Sequence, residues 1–252
     1  MSRTISIILI SILFIFQQAS AGTRYRLNSK TESLAGIAAI SILTPALTID
    51  KMPDKMPLKS SINSLDRSAM FAYNKTQHDM TTVGMITALM MPGVTVLDRM
   101  TETNTLFTYA TMYAEAFVLA HATKELFKSV TPRYRPYLYF SNPPDIPKDR
   151  HNSFPSGHTT FAFLGATFLA TTFPTDHPDS KWSFPLIASG YTLATGIGIM
   201  RVTSGNHYIT DVLAGAAIGS FYGWLIPHIH LAPKTNLTLS PTYSGFQMIY
   251  SI

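Results

Sequence analysis

The stretch 153–163, "SFPSGHTTFAF", sets a Pro-Ser-Gly turn and a histidine directly ahead of an apolar run. Proline and glycine interrupt regular structure, and small polar residues favour the start of a helix. The run from 159 to 173 then carries no charge and reads as a helix. His158 therefore stands at the mouth of an apolar segment, where a titratable ring contributes little to packing.

Further apolar runs of helical length occupy 80–97, 105–126, 182–200 and 212–227, with one more at 34–49. They predict an all-α helical bundle of about five to six apolar helices, membrane-embedded, with its active site at one end. Composition agrees: of 252 residues 46% are hydrophobic and 13% charged, although a mean hydropathy of +0.15 keeps a tightly packed soluble bundle open. The runs are rich in Gly, Ala, Ser and Thr, which let helices approach closely. Glu115 and His121 read as a buried polar pair or as charges facing a groove. The absence of cysteine excludes disulfides, thiolate nucleophiles and Cys-ligated zinc. A net charge of +5 suits an anionic partner.

The N-terminus has the layout of an export signal: Arg3, a 12-residue apolar core at 5–16, and small residues Ala19 and Ala21 at a cleavage position. Four segments are expected: a signal peptide at 1–21, an N-terminal segment at 22–80 with one helix and a loop, a catalytic bundle at 81–233, and a tail at 234–252. The tail reads as a short strand or a disordered end. The 34–49 run holds Pro45 and, at 16 residues, is short for a span. Leaving it out of the membrane turns the mouth toward the periplasm.

Three clusters lie at the ends of the runs. Lys128 and Arg135 follow the 105–126 run, and Ser156, Gly157 and His158 precede the next. Arg201 ends the 182–200 run, and His207 and Asp211 open the last. Because successive helices alternate in direction, these ends meet at one mouth. Arginine forks match phosphate oxygens, lysine adds a point charge, and helix N-termini bind anions. Asp211 lies one helical turn from His207, so its carboxylate can hydrogen-bond one ring nitrogen and leave the other as a nucleophile. His158 is then placed to protonate a leaving oxygen.

Together the clusters resemble the type 2 phosphatidic acid phosphatase family, whose signature reads Lys-x6-Arg-Pro, Pro-Ser-Gly-His and Ser-Arg-x5-His-x3-Asp. Lys128 to Pro136, Pro155 to His158 and Arg201 to Asp211 keep every internal spacing, while Met200 replaces the usual serine. The resemblance implies that His207 is the nucleophile, that Asp211 orients it and that His158 is the acid. Lys128, Arg135, Ser156, Gly157 and Arg201 would hold the phosphoryl oxygens. It implies no cofactor and no metal, and as partners a phospholipid or isoprenoid phosphate substrate and a membrane, with no nucleic acid. The location expected is a bacterial inner membrane with the site facing the periplasm. A soluble periplasmic acid phosphatase and a vanadium haloperoxidase share these motifs, and a non-catalytic anion-binding protein would need them to coincide.

Overall fold

The computed structural model describes residues 23–49, 55–145 and 149–232, and the backbone of 237–242 and 245–250. The signal segment lies outside the described residues. Seven α-helices follow in order: α1 (Ser29–Thr48), the short α2 (Ser64–Ser68), α3 (Lys75–Met90), α4 (Thr103–Val130), α5 (Gly157–Asp176), α6 (Ser183–Thr203) and α7 (Ile209–His230). Past α3 the chain continues as a 3-10 helix over Met91–Arg99. Pro92 lacks the N–H that an α-helical turn needs, and the tighter winding accommodates it.

α1 begins earlier than the apolar run because Asn28 caps it. Lys30 N–H donates to Asn28 Oδ1 at 3.0 Å, and Asn28 N–H donates to Glu32 Oε1 at 2.8 Å, a reciprocal cap that satisfies two helix-end donors. Pro45 stays inside the helix, whose 20 residues reach the length of a bilayer crossing. The reading of this segment as too short to cross is thereby corrected. α1, α6, α7 and the continuous segment Lys75–Arg99 are each long and apolar enough to span a membrane.

Helix α5 occupies the centre, packed by α7, α6 and α3, with Ala162, Leu164, Ala166, Phe168 and Leu169 buried. Its contact with α7 is made backbone to backbone. A methyl group at Gly215, Gly219 or Gly223 would come within 2.5, 2.0 or 2.8 Å of the carbonyl oxygens of Ser156, Thr160 and Leu164. In lipid, apolar faces gain nothing by leaving water, so close approach through small residues takes over the holding of helices. Outside, Leu34, Val83, Met90, Phe184, Ile199 and Leu213 are all more than half exposed. Apolar side chains spread over several helices in this way suit hydrocarbon and not water. The bundle is that of a membrane protein, and the soluble alternative is set aside.

The six long helices alternate in direction. Tyr25 and Leu231 form an isolated antiparallel bridge, and Arg99 meets Asp176 at 2.9 Å, both at the end opposite the mouth. Beyond α7 the tail forms an antiparallel hairpin of β1 (Leu237–Thr242) and β2 (Gly245–Tyr250), so the strand reading holds there. At the mouth, α6 passes to α7 through Gly205, whose φ of +71° and 2.4 Å clearance to Phe71 O admit no side chain.

Candidate active site

That tight turn keeps His207 beside the end of α6, its N–H donating to Arg201 O at 3.1 Å. The ring is buried, with Nδ1 2.7 Å from Ser153 O. A carbonyl only accepts, so Nδ1 carries the hydrogen and the neutral ring presents its lone pair at Nε2. Nε2 lies 3.1 Å from Arg135 Nη1. Burial lowers the His207 pKa well below its ordinary value, Arg135, Arg201 and Lys128 lower it further, and the Ser153 carbonyl opposes them.

Asp211 differs from the sequence expectation. Its Oδ2 stands 3.7 Å from His207 Nδ1, beyond hydrogen-bond range, because other donors occupy it. Ser153 Oγ donates to Oδ2 at 2.5 Å, Tyr208 N–H donates to it at 2.9 Å, and Arg133 Nη1 donates to Oδ1 at 2.6 Å. Asp211 anchors the strand of chain that carries the Ser153 carbonyl, and that carbonyl holds the ring.

Three positive groups act on the His207 ring. Arg135 donates from Nη1 to Asn206 O at 2.8 Å, while its outer edge grips Asp149 through Nε to the backbone oxygen at 2.9 Å and Nη2 to Oδ1 at 2.8 Å. Arg201 is 1% exposed. Its Nη1 lies 3.0 Å from His78 Nδ1 and 3.2 Å from Thr81 Oγ1, and its Nε finds no acceptor among the described residues. Lys128, in the last turn of α4, acts on His207 through its charge. Gly157 and His158 open α5, where first-turn N–H groups have no partner within the helix. A side chain on Gly157 would press Lys124, 3.2 Å from the added carbon. Ser156 is placed differently from expectation: its N–H donates to Asp211 O at 3.0 Å and its Oγ pairs with Thr159 Oγ1 at 2.9 Å. Both groups are engaged within the protein. His158 Nε2 lies 3.0 Å from Thr82 Oγ1, and its ring is 5.9 Å from that of His78.

Several contributors escaped the sequence reading. Arg133 ties the site to the N-terminal segment: Nη2 donates to Asp66 Oδ2 at 2.7 Å, Nη1 donates to Thr210 Oγ1 at 2.8 Å, and the guanidinium lies 3.9 Å over the Tyr208 ring. Burial tends to raise the Asp66 pKa, but donors from Arg133, Thr210 and Asn63 outweigh it and leave the carboxyl below its ordinary value. His78, given no part from sequence, faces Arg201. Glu115 and His121 do not pair; His121 lies beside the stacked rings of Phe117 and Phe161 and nearly parallel to them, and Glu115 turns to His230 at the opposite end.

The model of the PAP2 superfamily matches residues 109–234. A lipid A 1-phosphatase of Porphyromonas gingivalis is 40% identical over 74 residues, which are 29% of this chain and 15% of that protein. The bacitracin transport permease protein BcrC of Bacillus licheniformis is 33% identical over 138 residues, 53% of this chain and 62% of its own length. An undecaprenyl-diphosphatase of Sulfolobus acidocaldarius is 35% identical over 112 residues, 44% and 50% of the two chains. The chain thus spans less than two thirds of each of these relatives. The crystal structure of a transmembrane PAP2 type phosphatidylglycerolphosphate phosphatase from Bacillus subtilis aligns with 90% of this chain and 92% of its own at 18% identity and a TM-score of 0.42. The matched region takes in α5, α6, α7 and most of α4, which carry His158, Arg201, His207 and Asp211, and the chain belongs to the PAP2 superfamily.

Proposed function

We propose that the protein hydrolyses a lipid phosphate through a phosphohistidine on His207. One observation carries the reading: the Nδ1–Ser153 hydrogen bond sets the lone pair of the buried His207 ring at Nε2, where the guanidinium of Arg135 meets it at 3.1 Å. In the first step Nε2 attacks phosphorus, the P–O bond to the lipid alcohol breaks, and His158 delivers a proton to the departing oxygen. In the second, water gives a proton to His158 and attacks phosphorus, the P–N bond breaks, and inorganic phosphate leaves. Arg135, Arg201, Lys128 and the N–H groups of Gly157 and His158 hold the phosphoryl oxygens and neutralise charge that grows in the transition state. Asp149 yields the outer edge of Arg135 to the phosphate.

The catalytic unit is the 81–233 bundle, to which the preceding segment adds Asp66 and His78. The substrate class is a phospholipid or isoprenoid phosphate: phosphatidic acid, phosphatidylglycerol phosphate, a polyprenyl diphosphate or a lipid A phosphate. Two relatives are named for such lipids, and the apolar outer face of the bundle supports a substrate carried in the membrane.

The location we propose is a bacterial inner membrane with the mouth toward the periplasm. Six crossings put residue 23 on the side opposite the mouth, so a periplasmic mouth and export of a cleaved N-terminus exclude each other. We keep the periplasmic mouth. Arg24, Arg26 and Lys30 then flank α1 on the cytoplasmic side, as basic residues prefer.

Trapping in an alkaline denaturing quench after reaction with a panel of phosphate-labelled lipids tests the mechanism. The wild type should yield an acid-labile, base-stable phosphoenzyme on at least one of them, and His207→Ala none. A phosphoenzyme in His207→Ala, or none in the wild type during turnover, would overturn it. The chain lacks cysteine, so single cysteines at Asn142 and Asp179 should label from opposite sides of sealed vesicles; labelling from one side would refute the six crossings.

A further inference from the structure

We propose that Glu32, Glu115 and His230 form a binding site for one zinc-class divalent ion at the end of the bundle opposite the mouth. The three residues come from α1, α4 and α7. Their potential ligand atoms all lie within 4.8 Å of one another. His230 Nε2 is 3.2 Å from Glu32 Oε1 and 3.3 Å from Glu115 Oε2.

The direction of the imidazole decides what this cluster needs. His230 Nδ1 lies 2.9 Å from Ile226 O and so carries a hydrogen, and in the neutral ring the lone pair of Nε2 faces two carboxylates. Glu115 is fully buried, and neither of its oxygens meets a hydrogen-bond donor among the described residues. The two helices that carry Glu32 and Glu115 also bury Ala35 and Ala39 of α1 and Met112 and Ala116 of α4. With the ring neutral, Nε2 and the two carboxylates turn their lone pairs toward one another, and while Asn28 N–H donates to Glu32, nothing offsets the buried charge of Glu115, which is costly there. A divalent ion neutralises both carboxylates at once.

The donor set fits zinc. Imidazole nitrogen and carboxylate oxygen bind zinc at about 2.0–2.2 Å in a tetrahedron, whose ligands are then about 3.3 Å apart. The two separations from His230 Nε2 match that edge. A cavity of about 390 Å³ lined by Arg26, Asn28, Thr31, Ile229, His230 and Leu231 reaches the cluster at His230. Magnesium, which needs six oxygen ligands in near-octahedral order, does not suit a site containing imidazole.

Such an ion would be a clasp. Around it the first and last helices are already joined by Arg26 N–H to His230 O and Ala232 N–H to Arg24 O, both 2.9 Å. Along α7 the site stands about 30 Å from Asp211 at a rise of 1.5 Å per residue. It is therefore separate from the phosphate site and independent of the chemistry proposed there.

The test uses full-length protein in detergent, stripped with EDTA and then titrated with zinc chloride alone. The wild type should retain about one zinc per chain after desalting and gain about 5 °C or more in Tm, as a ligand specific to the folded state does. Magnesium at equal concentration should leave Tm unchanged. Glu115→Gln and His230→Gln should lose both retention and shift, whereas His158→Ala and His207→Ala at the mouth should keep both. A wild type that neither retains zinc nor gains stability would overturn the site without any variant being needed. So would zinc retention persisting in both clasp variants, which would place the ion elsewhere.

Discussion

The ring nitrogen Nδ1 of His207 is held by the carbonyl oxygen of Ser153 at 2.7 Å. A main-chain group fixes the tautomer, and no side-chain substitution removes it directly. Asp211→Asn should therefore keep the reactive nitrogen correctly presented and lose about 10- to 100-fold in kcat, well short of the roughly 10⁴-fold loss that follows when the carboxylate itself sets the tautomer. Three donors converge on Asp211, and an amide can accept from fewer, so stability should fall by about 1–3 kcal/mol. Steady-state turnover and thermal unfolding of the variant check both parts; a 10⁴-fold loss would show that the carboxylate, not Ser153, sets the tautomer.

The depressed His207 pKa gives a signed dependence of stability on pH. Below about 6.5, the ordinary imidazole value, the unfolded chain binds a proton that the folded ring refuses. Stability contributed by the neutral ring is thus present above that pH, falls as pH drops beneath it, and levels off only below the folded value. The Asp66 contribution runs the same way but is lost only as pH falls below about 4. Tm measured from pH 7.5 to 5 should fall in the wild type and fall less in His207→Gln. Parallel curves would assign the titration to other groups.

Arg133 compensates two buried carboxylates, so Arg133→Ala strands both Asp66 and Asp211. A loss of about 3–5 kcal/mol is expected for removing one partner of such a buried pair. Adding Asp66→Asn should restore part of it, because one of the two stranded charges disappears. Chemical denaturation of the single and double variants measures this, and strictly additive losses would argue against the bridge.

His158 should matter in proportion to the leaving group. A nitrophenolate departs without a proton and a lipid alkoxide does not, so His158→Ala should lose at least about 10-fold more turnover on a lipid phosphate than on a nitrophenyl phosphate. Equal losses on the two substrates would remove His158 from the acid role. His207→Ala should abolish both.

The helices and the convergence of their ends were legible because long apolar runs have few folds open to them, and alternation of direction then puts Lys128, His158, Arg201 and His207 at one mouth. Motif spacing carries no information about groups brought in from other segments. Asp66 sits in a polar stretch ahead of α3, with nothing local to mark it as the partner of Arg133. His78 looks like any histidine in the first turn of a helix until α6 delivers Arg201 to it. The Ser153 carbonyl is invisible in principle, since every residue has one. Length misled at α1, where the cap formed by Asn28 and Glu32 adds a turn that hydropathy alone does not show.

The glycines at 215, 219 and 223 give the mouth a fixed gauge. With carbonyl oxygens of α5 resting against bare Cα atoms of α7, the separation between the start of one helix and the start of the other is a main-chain dimension, insensitive to rotamers. His158, the proposed acid, rides on the first, and His207, the proposed nucleophile, immediately precedes the second. Side chains around the mouth can change, while the distance between the ring proposed to give the proton and the ring proposed to take up the phosphoryl group stays the same.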